Sequence, residues 1–190
     1  MADFRKSYGK LKVYEGLYSD IAKDNGGETY MGISRKFHPE WQGWAIIDSA
    51  KKNNRFYDIL TNDTKLKELT MNFLCGNVWT VIKGDLIDDQ LTADEIFEMS
   101  VNLGNKTAVK ILQRAINLLN RNQRLYYDIA VDGITGNETI KTLKICLYNN
   151  PKLLFNLLNF YQAMLYINLM EKNRDNEIFI GWFNRIEILK

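Results

Sequence analysis

Histidine is nearly absent from this 190-residue chain, His38 being the only one. A single histidine excludes a multi-histidine metal centre and argues against a Ser-His-Asp triad. Cysteine is scarce as well. Cys75 and Cys146 both sit in apolar stretches, with no further cysteine or histidine at zinc-ligand spacing, and are expected to be buried free thiols. An excess of one charge is also missing. The net charge of +2 and a pI of about 8.4 fall short of the dense basic stripe a nucleic-acid binder carries. An apolar run of the roughly 18 residues that a membrane span needs is not visible, so no membrane insertion is expected. The opening stretch MADFRKSYGKLKVYEG has basic residues but no apolar core behind them, so no Sec leader is expected. The protein is therefore expected to be made in the cytoplasm and to need assistance to reach any external target. Repeats and low-complexity segments do not occur.

What is present is ordinary for a soluble globular protein: 46% hydrophobic and 25% charged residues, with aromatics somewhat high at 12%. The length suits one good-sized core, or a main domain with a small appendage. Phe4, Tyr8, Leu11 and Glu15 recur at helical spacing and predict a helix over 3–15. Glycines at 16, 26, 27 and 32 then break helical propensity, and residues 16–34 are expected to form loop and short strands with a hairpin around Asn25-Gly26-Gly27. The stretch 37–44 is an irregular aromatic patch, and 45–52 a short helix. A long helical pattern covers 64–82. Thr92 and Glu95 read as a capping box opening a helix that breaks at Asn102-Leu103-Gly104. A helix over 107–119 points Val109, Leu112, Ile116 and Leu119 inward. Thr135 and Glu138 read as a second capping box. Pro151 opens the last long helix, with Leu154, Leu157, Leu158, Tyr161 and Leu165 on one face. A helix or extended tail follows over 179–189. The expected fold is mainly α with a small β element near the N-terminus.

The stretch that carries chemistry is Glu15-Gly16-Leu17-Tyr18, followed by Asp20, Asp24, Gly26-Gly27, Thr29 and Gly32-Ile33. Glu15 ends a helical pattern. The negative end of the helix dipole raises a carboxyl pKa, which suits a general acid, although a solvated glutamate is the plainer reading. Asp24 and Thr29 follow in a glycine-rich turn, where a carboxylate and a hydroxyl could position water across a cleft from Glu15. Asp20 and Glu28 are rivals for the carboxylate role, and spacing alone does not choose among them. Tyr18, Tyr30, Phe37, Trp41 and Trp44 could stack on sugar rings or simply fill the core. Asp132-Gly133-Ile134-Thr135-Gly136 lacks both the acidic ladder of a calcium loop and the lysine of a P-loop, and a turn into a capped helix explains it.

Together these residues resemble the muramidases of glycoside hydrolase family 108, which carry a companion C-terminal predicted peptidoglycan-binding segment. The family's opening motif, close to E-G-G-Y and then D-P-x-D-P-G-G-x-T-x-x-G-I, stands here as Glu15-Gly16-Leu17-Tyr18, Asp20, Asp24, Gly26-Gly27, Thr29 and Gly32-Ile33. Phe97 with Val101-Asn102-Leu103-Gly104 is similar to its F-D-x-x-V-N-x-G segment. Ala108–Asn117 and Val131–Gly136 resemble its L-Q-R-A-L-N and V-D-G-I-x-G signatures, and Gly181-Trp182-Phe183-Asn184-Arg185 its closing G-W-x-N-R. Leu17, Ile21, Asn25, Glu28 and Glu98 depart from the pattern.

The resemblance implies a lysozyme-like fold with a catalytic region over 1–104 and a helical peptidoglycan-binding-like region over 105–190 packed on it. It implies an N-acetylmuramidase that cleaves the β-1,4 bond between N-acetylmuramic acid and N-acetylglucosamine, with Glu15 as general acid. The Glu15–Asp24–Thr29 spacing is further similar to the Glu–Asp–Thr arrangement of phage-type lysozymes. By that analogy Asp24 and Thr29 position or activate water, with Tyr18, Tyr30 and Asn102 expected to contact the glycan. No metal or cofactor is called for. The expected partner is peptidoglycan, met by a monomer in the cell wall or periplasm after release by a holin, as for a phage or prophage endolysin, or by a secretion machine, as for a delivered effector. A lytic transglycosylase and an inactive wall-binding module are the alternatives.

Overall fold

The computed structural model describes residues 1–14, 17–20 and 27–190, so Glu15, Asp24 and the turn at Asn25-Gly26 lie outside the described residues. The described chain is mainly α, as expected. Helix α1 spans Phe4–Tyr14, and a three-stranded antiparallel sheet follows with β1 at Tyr18–Asp20, β2 at Glu28–Tyr30 and β3 at Ile33–Ser34. Then come α2 (Gly43–Ala50), α3 (Phe56–Asn62), α4 (Thr64–Leu74), α5 (Gln90–Leu103), α6 (Asn105–Leu119), α7 (Asn137–Asn149) and α8 (Pro151–Lys172). A tight 3-10 segment, Arg174–Arg185, closes the fold.

Helix α5 lies at the centre. Ala93, Ile96, Phe97 and Met99 are wholly buried on it, and it packs against α1, α6 and α8. Its start corrects the capping expectation. Asp89, not Thr92, is the cap: its carboxylate accepts from Thr92 N at 2.8 Å and from Thr92 Oγ1 at 2.6 Å. The second expected box is absent too, because Gly136 occupies the cap position of α7 without a side-chain bond. Helix α6 follows its periodicity, with Val109, Leu112, Ile116 and Leu119 all buried. The pattern over 64–82 is not one α-helix: after Leu74 the chain widens into a π-helical turn over Cys75–Trp79. Cys75 and Cys146 are both free thiols, Cys146 buried and Cys75 half-buried.

Helix α8 departs most from expectation. Its buried positions are Leu154, Phe155, Leu158, Asn159, Gln162, Tyr166 and Met170, so the inward face is rotated from the leucine stripe and includes two amides. It is also long and apolar enough to cross a membrane by length and composition, which the sequence reading had not found. The amides belong to a polar network between helices. Gln162 Nε2 donates to Glu98 Oε2 at 2.9 Å and contacts the Tyr166 hydroxyl at 2.8 Å, and Asn102 Nδ2 donates to the same hydroxyl. Arg185 Nε lies 2.7 Å from Glu98 Oε1, both side chains being about nine-tenths buried. After the 3-10 segment the tail runs along α8, with Glu187 N donating to Asn159 Oδ1 at 2.7 Å and Leu189 N to Asn156 Oδ1 at 2.9 Å.

Glu95 lies one turn from Glu98 and is 4% exposed. Burial pushes its carboxyl up to about 8, reinforced by the Glu98 charge, while Asn159 and Lys10 pull it down and Glu187 pushes it up. Asp94 and Arg185 also line the small cavity beside it. The folded protein thus holds a proton that the unfolded chain, with an ordinary glutamate near 4.5, releases. That stabilisation is complete below about 4.5 and lost as pH rises toward about 8. Glu95→Gln is expected to flatten this loss, seen as a smaller drop in Tm between pH 5 and 8 than in the wild type. Arg185→Ala strands the Glu98 carboxylate and should cost about 3 kcal/mol in urea unfolding at pH 7.

Candidate active site

Helix α1 delivers the chain to the sheet. Its last residue is Tyr14, and Leu17 O then accepts from Met31 N at 3.2 Å, which ties the residue just before β1 to the turn between β2 and β3. The register pairs Tyr18 with Tyr30, Ser19 with Thr29 and Asp20 with Glu28, then Thr29 with Ser34 and Tyr30 with Ile33. Directly opposed residues share a face, and alternate residues along a strand do too. One face therefore carries Tyr18, Asp20, Glu28, Tyr30 and Ile33. The other carries a row of hydroxyls, Ser19–Thr29–Ser34, across all three strands. Thr29 sits at the middle of that row, half-buried. Ser19 and Ser34 escaped the sequence reading, although period-two alternation around Thr29 would have found them once the register was known.

The sheet is seated tightly. Gly32 has φ +77, and a Cβ there would meet Val101 Cγ1 of α5 at 2.2 Å, so glycine alone permits both the turn and the approach. On the first face, Glu28 is clamped. Tyr18 donates to Oε1 at 3.1 Å, Lys51 Nζ lies 2.9 Å from the same oxygen, and Arg35 donates to Oε2 at 3.0 Å while also bonding Asp48. Partial burial pushes the Glu28 pKa up, but the hydrogen bonds from Lys51, Arg35 and Tyr18 outweigh it and the net shift is downward. A carboxylate held ionised by three donors is a poor general acid, and most of its acceptor capacity is already taken. This explains the departure at position 28 as a strut from the sheet to α2.

Three expected glycan contacts fare differently. Tyr18 is half-buried with its ring edge-on to Phe56 at 5.0 Å, and its hydroxyl is engaged by Glu28. Tyr30 is corrected to a core residue: it is 2% exposed, donates to Leu60 O at 2.9 Å and stacks near Trp41. Asn102 is half-buried, and its amide donates to the Tyr166 hydroxyl of α8. Of the aromatic patch, Trp41 and Trp44 are core and Phe37 is exposed. Asp132 accepts from Gln113 and from Ile134 N, and Gly133 N donates to Gln113 Oε1, so that loop is a turn pinned to α6. Glu15 and Asp24 lie outside the described residues.

Comparison with known proteins places this geometry. The family model described as glycosyl hydrolase 108 matches residues 9–104, the segment from α1 through the sheet to the end of α5. The chain belongs to glycosyl hydrolase family 108. A second model, described as a predicted peptidoglycan domain, matches residues 107–187 of this hydrolase. Among solved structures, Brucella abortus SagA is similar in fold, with a TM-score of 0.57 and 20% identity over 96% of this chain and 92% of that one. No curated protein matches. The protein is thus a glycoside hydrolase of cell-wall glycan, with peptidoglycan as its substrate partner.

If Glu28 is a strut, Glu28→Gln should lower stability by about 1 kcal/mol at pH 7. Because its folded pKa is depressed, the difference from wild type should shrink as pH falls below about 4.5, measured by urea unfolding at several pH values.

Proposed function

We propose that this hydrolase is an N-acetylmuramidase that cleaves the β-1,4 bond between N-acetylmuramic acid and N-acetylglucosamine, with Glu15 as general acid and Asp24 and Thr29 orienting the attacking water. The observation that carries this reading is the junction of α1 with the sheet. Tyr14 ends α1, Leu17 is bonded to the β2–β3 turn, and Thr29 stands in the hydroxyl row of the same sheet. The only glutamate between Tyr14 and Leu17 is Glu15.

In this mechanism Glu15 protonates the departing glycosidic oxygen as the bond to the anomeric carbon lengthens. Charge builds on an oxocarbenium-like carbon, and water held by Asp24 and the Thr29 hydroxyl adds to it. The proton from that water passes to the Asp24 carboxylate. Clamping of Glu28 by Arg35, Lys51 and Tyr18 supports Asp24 over Glu28 as the second carboxylate. The regions 1–104 and 105–190 act as one packed unit on the wall, the second holding glycan near the first.

Glu15→Gln should abolish turbidity loss of purified sacculi while far-UV CD and Tm stay unchanged, and retained lysis would remove Glu15 from the role. Thr29→Ala should lower the rate by about tenfold to a hundredfold. Products of the wild type should carry reducing ends by mass spectrometry, whereas anhydromuramic ends would show a lytic transglycosylase. Binding to sacculi without solubilisation would show a wall-binding module.

A further inference from the structure

Helix α8 has a second face that its packing leaves uncovered. Leu153, Leu157, Phe160, Met164 and Ile167 recur at steps of four, three, four and three, the spacing of a seam between two helices. Leu153 is 48% exposed, Phe160 52%, Met164 51% and Ile167 45%, while Leu157 is half-buried against the core at the stripe's edge. Between Lys152 and Glu171 the helix has no charged residue, and the polar neighbours of the stripe are asparagines, Asn156 and Asn168. A solvent face of this length on a water-soluble helix ordinarily alternates charges.

We infer that this face is the interface of an antiparallel homodimer, a second copy of the chain laid across α8 about a two-fold axis near Phe160. Leu153 and Ile167 each lie seven positions from that residue, with Leu157 three before it and Met164 four after it. In a two-fold antiparallel pair Phe160 faces its own copy, Leu153 meets Ile167, and Leu157 meets Met164, so each apolar side chain finds an apolar partner. The same arrangement brings Lys152 of one copy within about a turn of Glu171 of the other, twice over, and opposes the two helix dipoles favourably. A parallel pair would set Lys152 against Lys152 and Glu171 against Glu171. A lipid-facing helix would flank the stripe with lysine or arginine rather than asparagine. Spanning a bilayer is excluded by the other face of α8, where Asn159 and Gln162 are buried in the network to the tail and to Glu98.

Sedimentation of the full chain from about 1 to about 100 µM, the range of modest interfaces, is expected to show a monomer–dimer equilibrium. Phe160→Glu, and separately Met164→Glu, should weaken it by more than about tenfold with unchanged Tm, since both side chains face solvent in the single copy. Lys152→Glu should weaken it by about fivefold, and adding Glu171→Lys should restore it. A wild type that stays monomeric throughout overturns the proposal, as does a dimer indifferent to both apolar variants. A charge pair that fails to restore association overturns the antiparallel register. Phosphatidylglycerol vesicles binding a monomeric wild type, but not Phe160→Glu, would assign the stripe to lipid instead.

Discussion

The contact between Glu98 and Arg185 is the constraint around which the two halves of the chain are arranged. Both groups have given up most of their water, and neither could do so alone, because an isolated charge at that depth costs far more than its partner returns. Gln162 takes the second oxygen of Glu98, and through the Tyr166 hydroxyl the same amide reaches Asn102 at the end of α5. One carboxylate thus ties the central helix of the hydrolase region to α8 and to the closing Gly-Trp-Phe-Asn-Arg segment. Such a pair contributes little net stability over an apolar replacement. What it fixes is the place of the closing segment, because Arg185 reaches that oxygen.

The sheet that carries Thr29 is seated on the same helix, one turn further on. Val101 of α5 receives the sheet at Gly32, while Glu98, one turn earlier, receives the tail. The hydroxyl row and the closing segment are therefore both referenced to one rigid element. The region that resembles a peptidoglycan domain is not a loosely tethered module: α6 and α8 complete the core around α5.

Much of this was legible in the residues, and the failures have a common cause. Helix α6 follows directly from its apolar period, because only one face can be buried. Helix α8 does not, because leucines ring it, and which way it turns is decided by Asn159, Gln162 and Tyr166 finding partners elsewhere. The caps were misplaced for a similar reason: Asp89 and Thr92 are both able to cap, and the backbone's entry angle chooses. At the site, Thr29 was expected in the glycine-rich turn but lies on β2, and the row it forms with Ser19 and Ser34 needs the register. Glu28 looked like a rival catalyst until Arg35, Lys51 and Tyr18, from beyond its own strand, surrounded it. Tyr30 shows the limit of composition, since an aromatic near a reactive loop reads the same whether it faces sugar or core.

The close approach at Gly32 is one of three anchors that hold the sheet. The strands are seated by what lies outside the segment that joins β1 to β2: by Val101 below, by Leu17 bonded to Met31, and by the ion cluster on Glu28. Replacements such as Ile21 and Asn25 fall within that joining segment. Those departures leave the described anchors in place, because the contacts at Gly32, Leu17 and Glu28 are made by residues outside that segment.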